Sequence, residues 1–257
     1  MENQKPLILI TNDDGYLAKG IKALIESVRG LGEVIVVAPD GPRSGMSSAI
    51  TSLQPLRVHL IEEEPDLKIY TCTGTPVDCI KLGINELCKR KPDIVLSGIN
   101  HGSNAAVSVL YSGTIGAAIE GAVFKIPSIG FSLLDHSHNA DFTETHKYIR
   151  LLTEQVLKEG LPAGTCLNVN IPKGNDIKGL RICRQTLGQW VAEFVQSKDG
   201  ANKQIYWLTG EFSNDEPHDE NTDEWALAHG YVSVVPVKVD MTNHDLIEPI
   251  KRWENLV

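Results

Sequence analysis

The stretch from Pro6 to Ala38 constrains the fold more than any other part of the chain. Pro6 to Thr11 is a short continuous apolar run, the pattern of a strand covered on both faces. From Gly20 to Leu31 the apolar residues Ile21, Leu24, Ile25 and Val28 recur at helical spacing, and Gly30 and Gly32 mark the end. Glu33 to Ala38 is a second buried strand. A strand, a helix and a strand in this order form a βαβ unit, which requires a parallel sheet.

The pattern extends beyond this unit. Leu56 to Leu60 and Lys68 to Thr73 alternate like a strand pair. Thr75 is placed to cap a helix that has Pro76 at its first position and Asp78 in its first turn, running to about Cys88. Asp93 to Ser97, Ser128 to Ser132 and Thr165 to Asn170 read as further strands, with helices over Thr114 to Phe124 and Thr143 to Glu159. Residues 1–175 therefore form an α/β core, a doubly wound and mostly parallel sheet. Residues 176–257 form a C-terminal extended arm, an oligomerisation segment that returns to the core. Within it, Gln189 to Gln196 and Lys203 to Leu208 are two extended segments joined through Lys198-Asp199-Gly200. Aromatics concentrate there at Trp190, Phe194, Tyr206 and Trp207. Glu211 to Glu224 holds seven acidic residues and no Lys or Arg. Ala226 to His229 reads as helix and Tyr231 to Val235 as a last strand.

Composition narrows the function classes. The net charge of −9 opposes duplex nucleic-acid binding, which needs a basic footprint. A small anionic substrate stays open, because a cation reverses the local field. No apolar run reaches the ~20 residues of a membrane helix. The start of the chain carries no basic, apolar leader. The five cysteines include no CxxC pair, as expected of reduced thiols in a cytoplasmic protein.

Four motifs carry chemistry. Thr11-Asn12-Asp13-Asp14-Gly15 leaves the first strand at its carboxyl end, where open α/β sheets bind ligands. Beyond the strand, two adjacent carboxylates are free to converge on one cation. By itself the motif also suits a plain acidic turn. Pro39 to Ser47 is a long loop in which Ser44 offers a neutral oxygen. Ser97-Gly98-Ile99-Asn100-His101-Gly102-Ser103-Asn104 follows another buried strand; Asn100 offers an amide oxygen and Asn104 an amide donor, while His101 reads as a surface residue. Tyr111-Ser112-Gly113-Thr114-Ile115-Gly116-Ala117-Ala118 is a Gly-rich entry into a helix, an anion site by its free N–H groups and dipole. It lacks the lysine of a Walker A loop, and no GxGxxG follows the first strand. Each motif alone is an ordinary turn or cap. Three loops bearing oxygen ligands at parallel-strand ends, together with an anion cradle, point to one shared site. The metal set Asp13, Asp14, Ser44 and Asn100 is all oxygen, which suits one divalent cation, Mg²⁺ or Mn²⁺.

In order along the chain, Ile8 to Gly15, Val37-Ala38-Pro39, Arg43-Ser44-Gly45, Gly74 to Cys79, Ser97 to Asn104, Tyr111 to Ala118, Thr222-Asp223 and Gly230 to Ser233 resemble the SurE (stationary-phase survival protein) family of nucleotidases. The resemblance implies a Rossmann-like fold, a 5′- or 3′-nucleotidase, and a homodimer or homotetramer built partly by C-terminal arms. It implies metal ligands at Asp13, Asp14, Ser44 and Asn100, and phosphate contacts at Asn104, Ser112, Gly113 and Thr114. Glu211 to Asn221 and Val235-Pro236-Val237 depart from the family pattern.

The expected activity is a phosphomonoesterase acting on nucleoside monophosphates through a metal-activated water, with Asp13 and Asp14 catalytic and Asp14 the choice for general base. An aspartyl-nucleophile phosphatase spaces its two key Asp residues one apart, whereas here they are adjacent. The alternative from another class is a nucleotide-binding regulatory protein without turnover. Base recognition is assigned to Asp40–Ser48 and Asn104–Tyr111, with Tyr111 their only aromatic.

Overall fold

The computed structural model describes residues 5–137 and 139–256. The core runs β1 (Leu7–Thr11), α1 (Lys19–Val28), β2 (Glu33–Pro39), β3 (Val58–Glu64), β4 (Leu67–Cys72), α2 (Pro76–Leu82), β5 (Ile94–His101), α3 (Gly113–Val123), β6 (Ser128–Leu133), α4 (Thr145–Glu159) and β7 (Thr165–Ile171). The strands lie in the order β3-β4-β2-β1-β5-β6-β7. All pairings are parallel except β3 with β4. The sheet is mostly parallel and doubly wound, as the buried apolar runs require. Alternate residues of β1 serve the two faces. Ile8 and Ile10 pack with Ile21, Leu24 and Val28 of α1 and Ile149 of α4. Leu7 and Leu9 pack with Cys79 and Ile80 of α2 and Ala117 of α3. Each such buried aliphatic contributes roughly 1.5–3 kcal/mol.

Helix α2 starts as its sequence dictates. The Thr75 hydroxyl accepts from the Asp78 N–H at 3.1 Å, Asp78 accepts from the Thr75 N–H at 2.9 Å, and Pro76 opens the helix. It passes into a π turn over Gly83–Leu87, short of the single helix expected to Cys88.

The remaining chain forms β8 (Leu180–Ile182), β9 (Gly188–Val191), β10 (Phe194–Lys198), β11 (Gln204–Leu208), β12 (Glu211–Asn214), α5 (Asp223–Ala228), β13 (Val232–Lys238) and α6 (His244–Ile250). β13 pairs antiparallel with β7 and parallel with β8, extending the sheet to nine strands. β10 pairs with β11 and β9 with β12, both antiparallel. The expected single strand Gln189–Gln196 is broken at Ala192, whose φ of 50° is left-handed. β12, at the start of the acidic stretch, is a strand through its pairing with β9. Only Phe212 in it is apolar, so its own pattern gave no strand signal. β8 and α6 also escape the sequence reading: one is three residues long, the other is exposed and contains Pro249. Among the described residues no helix is long and apolar enough to cross a membrane.

Strand β1 lies between β2 and β5. The chain leaves β1 for β2 on one side and later crosses back from β4 to β5 on the other, so a crevice opens between the carboxyl ends of β1 and β5.

Candidate active site

The crevice floor is the turn after β1. Asn12 ties the turn to itself: its side-chain amide donates to the Gly15 carbonyl at 3.0 Å and its side-chain oxygen accepts from the Gly15 N–H at 3.2 Å. Gly15 sits at φ 95°, a conformation a side chain would strain. This closed turn lifts Asp13 and Asp14 off the strand, and both line one cleft of about 680 Å³.

Asp13 is 4% exposed. Its Oδ1 accepts from the Thr114 hydroxyl at 2.7 Å. Burial raises its carboxyl to about 6, against the pull of Thr114 and with a further push from the Asp14 charge. Burial also raises Asp14, against the opposing influence of His101. Asp14 Oδ2 is buried and has no protein hydrogen-bond partner. An anionic oxygen in that state is costly unless a cation or proton meets it.

The loop after β2 is tied to this floor. The Arg43 N–H donates to the Asp13 carbonyl at 2.7 Å, and the Arg43 guanidinium is held by Asp40 at 2.9 Å and the Thr73 carbonyl at 3.2 Å. Arg43 thereby anchors the loop, and the next residue, Ser44, lines the cleft. Asn100 at the end of β5 spends its amide N–H on the Gly102 carbonyl at 2.9 Å, which leaves its Oδ1 as a free acceptor. Asp13, Asp14, Ser44 and Asn100 thus share one cleft. Among the described residues there is no cluster of three or more His, Cys, Asp or Glu fit for a metal. The oxygen set here holds only two such residues, and its other members are a hydroxyl and an amide.

Ser112 caps α3, its hydroxyl oxygen accepting from the Ile115 N–H at 3.1 Å, and it lines the cleft with its O–H still able to donate. Gly113 permits the helix end to press on Asp13: a Cβ there would stand 3.0 Å from the Asp13 Cβ and 3.2 Å from Oδ2. Thr114 and Asn104 also have partners within the protein. Thr114 is fully buried and gives its hydroxyl to Asp13, so it positions the carboxylate and its side chain does not face the substrate space. Asn104 lines the cleft, but its amide N–H already donates to Ser132 Oγ at 2.9 Å. Its backbone is also clamped, by Asn170 Oδ1 at 2.8 Å and by the Asn168 amide at 2.8 Å.

Several cleft residues escaped the sequence reading. His101 is no surface residue: it is half-buried, lines the cleft and meets Phe142 edge-on at 5.2 Å. His136, Trp190, Glu193 and Leu208 also line it. The last three come from the arm, too far along the chain for any spacing rule to link them to Asp13. Asp223 is completely buried and joins arm to core. It accepts from the Ala106 N–H at 2.8 Å, from the Thr186 N–H at 2.9 Å and hydroxyl at 2.5 Å, and from the Glu224 N–H at 2.9 Å. Asp223→Ala orphans these donors, and we expect a loss of at least about 3 kcal/mol, or roughly 6–12 °C in Tm. Thermal unfolding checks this, and a Tm within about 2 °C of the parent would show that the clamp carries little.

A sequence model of the survival protein SurE family matches residues 8–192. The chain is 53% identical over 253 residues to the 5′-nucleotidase SurE of Phocaeicola vulgatus, covering 98% of both chains. It is 52% identical over 256 residues to the 5′-nucleotidase SurE of Bacteroides fragilis, covering 99% of this chain and all of that one. The crystal structure of the SurE protein from Aquifex aeolicus superposes with a TM-score of 0.83 at 40% identity, covering 97% of this chain and 100% of that one. Full-length identity at this level, together with a paired-carboxylate turn facing a capped helix entry across one crevice, places the chain in the SurE family.

Proposed function

We propose that the chain is a divalent-cation-dependent phosphomonoesterase that releases phosphate from nucleoside 5′-monophosphates, and from 3′-monophosphates as well. The observation that carries this reading is Asp14 Oδ2, a buried carboxylate oxygen without a donor, set beside the buried Asp13 in a cleft that also holds the capped N-terminus of α3. Asp13, Asp14, Ser44 and Asn100 would hold the cation, Mg²⁺ or Mn²⁺, through hard oxygen donors. Bound there, it would supply neutralising charge for the carboxylate pair and Lewis-acid activation of a phosphate oxygen and of a water that loses its proton more readily. Ser112 donates its O–H to a phosphate oxygen, and the first N–H groups of α3, which have no intrahelical acceptor, stabilise the equatorial charge. Thr114 fixes the orientation of the Asp13 carboxylate. Asp14 is our choice for the group that takes the proton of the attacking water.

The experiment is initial-rate turnover of nucleoside monophosphates and a generic phosphoester with Mn²⁺, with Mg²⁺ and in excess chelator. Turnover that disappears in chelator and returns with either ion is the expected result. Full activity in chelator, or tight nucleotide binding without turnover, would count against the reading, the latter in favour of a regulatory protein.

Self-association belongs to the same proposal. An isolated two-stranded ribbon is marginal in water, yet β10 and β11 expose Phe194, Tyr206, Trp207 (63%) and Leu208 (73%). We expect a homodimer or homotetramer through this ribbon. Light scattering at micromolar concentration checks it: Trp207→Asp should lower the mass, and a monomeric parent protein would refute the assembly.

A further inference from the structure

Trp190 and Glu193 are three residues apart, a spacing that sends side chains to opposite faces of an unbroken strand. Ala192, at φ 50°, breaks the strand between them, and both residues line the same cleft as Asp13, Asp14 and Ser112. The break is held in place: the Thr209 N–H donates to the Glu193 carbonyl at 2.8 Å. β9 and β12 remain in register on one side, and β10 and β11 on the other. Phe212, the cross-strand partner of Trp190, braces the indole edge-on at 6.2 Å and 66°, and Trp190 is still 38% exposed. The cleft is far larger than a phosphate needs. Its volume of about 680 Å³ lies within the range of roughly 300–1,000 Å³ for sites that engulf a drug-sized molecule. The carboxylate floor and the helix entry serve only the phosphate end, so the arm wall faces whatever the phosphate is attached to.

We propose that this wall is the nucleobase subsite, with Trp190 the stacking platform and Glu193 an acceptor for base N–H groups. The assignment rests on the phosphomonoesterase reading above and names which residues distinguish a nucleotide from any other monoester. Indole stacks on every base, so Trp190 favours nucleotides without choosing among them. Glu193 adds a modest bias. Guanine presents two adjacent N–H donors to a carboxylate, whereas the single N–H of uracil is flanked by two carbonyl oxygens that repel it. Tyr111, 58% exposed at the rim, was the only aromatic that the motif loops offered; Trp190 is better placed because it is braced and less exposed.

The test compares the parent protein, Trp190→Ala, Trp190→Phe and Glu193→Gln on four nucleoside 5′-monophosphates and on ribose 5-phosphate at one free Mn²⁺ concentration. If the parent hydrolyses none of these esters, the function reading falls and the subsite with it. Given turnover, Trp190→Ala should raise KM for every nucleotide by about tenfold, with kcat affected much less. The loss in kcat/KM for nucleotides should exceed that for ribose 5-phosphate at least fivefold, and Trp190→Phe should recover most of it. Glu193→Gln should lower the GMP:UMP ratio of kcat/KM by threefold or more. The proposal is overturned while the function reading stands if Trp190→Ala weakens ribose 5-phosphate and nucleotides equally, if nucleotide KM does not change, or if Trp190→Phe is as poor as Trp190→Ala. An unchanged GMP:UMP ratio removes Glu193 from the subsite.

Discussion

Asp13→Asn and Asp14→Asn should each lower kcat for nucleoside monophosphates by at least about 10³-fold, roughly 4 kcal/mol of transition-state stabilisation. Asparagine keeps the shape and the acceptor oxygen that takes the Thr114 hydroxyl. What it removes is the negative charge that would hold a divalent cation between β1 and β5. Thr114→Val should act in the same direction but less strongly, because it frees the Asp13 carboxylate without discharging it. The stability effect has the opposite sign. The folded-state value of Asp13 lies above its unfolded value, so its ionisation opposes folding. That penalty develops as pH rises from 3.8 towards about 6 and is complete above it. In chelator at neutral pH, Asp13→Asn should therefore be at least as stable as the parent. The two readouts together separate a lost ligand from a damaged fold. Near-normal turnover in either variant would remove that residue from the site, and a large fall in Tm would assign the loss to misfolding.

Nucleoside triphosphates should be poor substrates, with kcat/KM for ATP at least about 100-fold below that for AMP, a difference of about 2.7 kcal/mol. The lining of the cleft includes the carboxylates of Asp13, Asp14 and Glu193 and no Lys or Arg. One cation and one helix N-terminus balance a single terminal monoester. Each further phosphate brings charge that no Lys or Arg of the wall meets, and Arg43, the nearest guanidinium in the motif loops, is already engaged by Asp40 and the Thr73 carbonyl. The comparison must be made at equal free Mn²⁺, since a triphosphate chelates the ion. ATP hydrolysed within tenfold of AMP would mean that charge at the second and third phosphates is met in some other way, and would undo the electrostatic argument.

The N-terminal half of this chain was legible from its own residues because its signals are local. An apolar run with no polar interruption has to be covered on both faces, and Thr75, Pro76 and Asp78 write a helix start within four residues. The motifs at Asp13, Ser44, Asn100 and Ser112 were legible for a related reason. In a parallel sheet the carboxyl ends of adjacent strands lie along one edge, so the polar loops that follow them meet there. Only the tertiary structure decided how each side chain is used. Thr114 gives its hydroxyl to Asp13, Asn104 spends an amide N–H on Ser132, and His101 turns into the cleft. A hydroxyl or an amide does not announce its partner; the partner depends on which strands become neighbours. The arm was the least legible. Ala192 carries no glycine or asparagine signal for a left-handed break, and β12 is a strand only because β9 lies beside it. The contribution of Trp190 and Glu193 to a cleft whose floor lies at Asp13 follows from the path of the chain through space, which a periodicity of two or of 3.6 residues cannot encode.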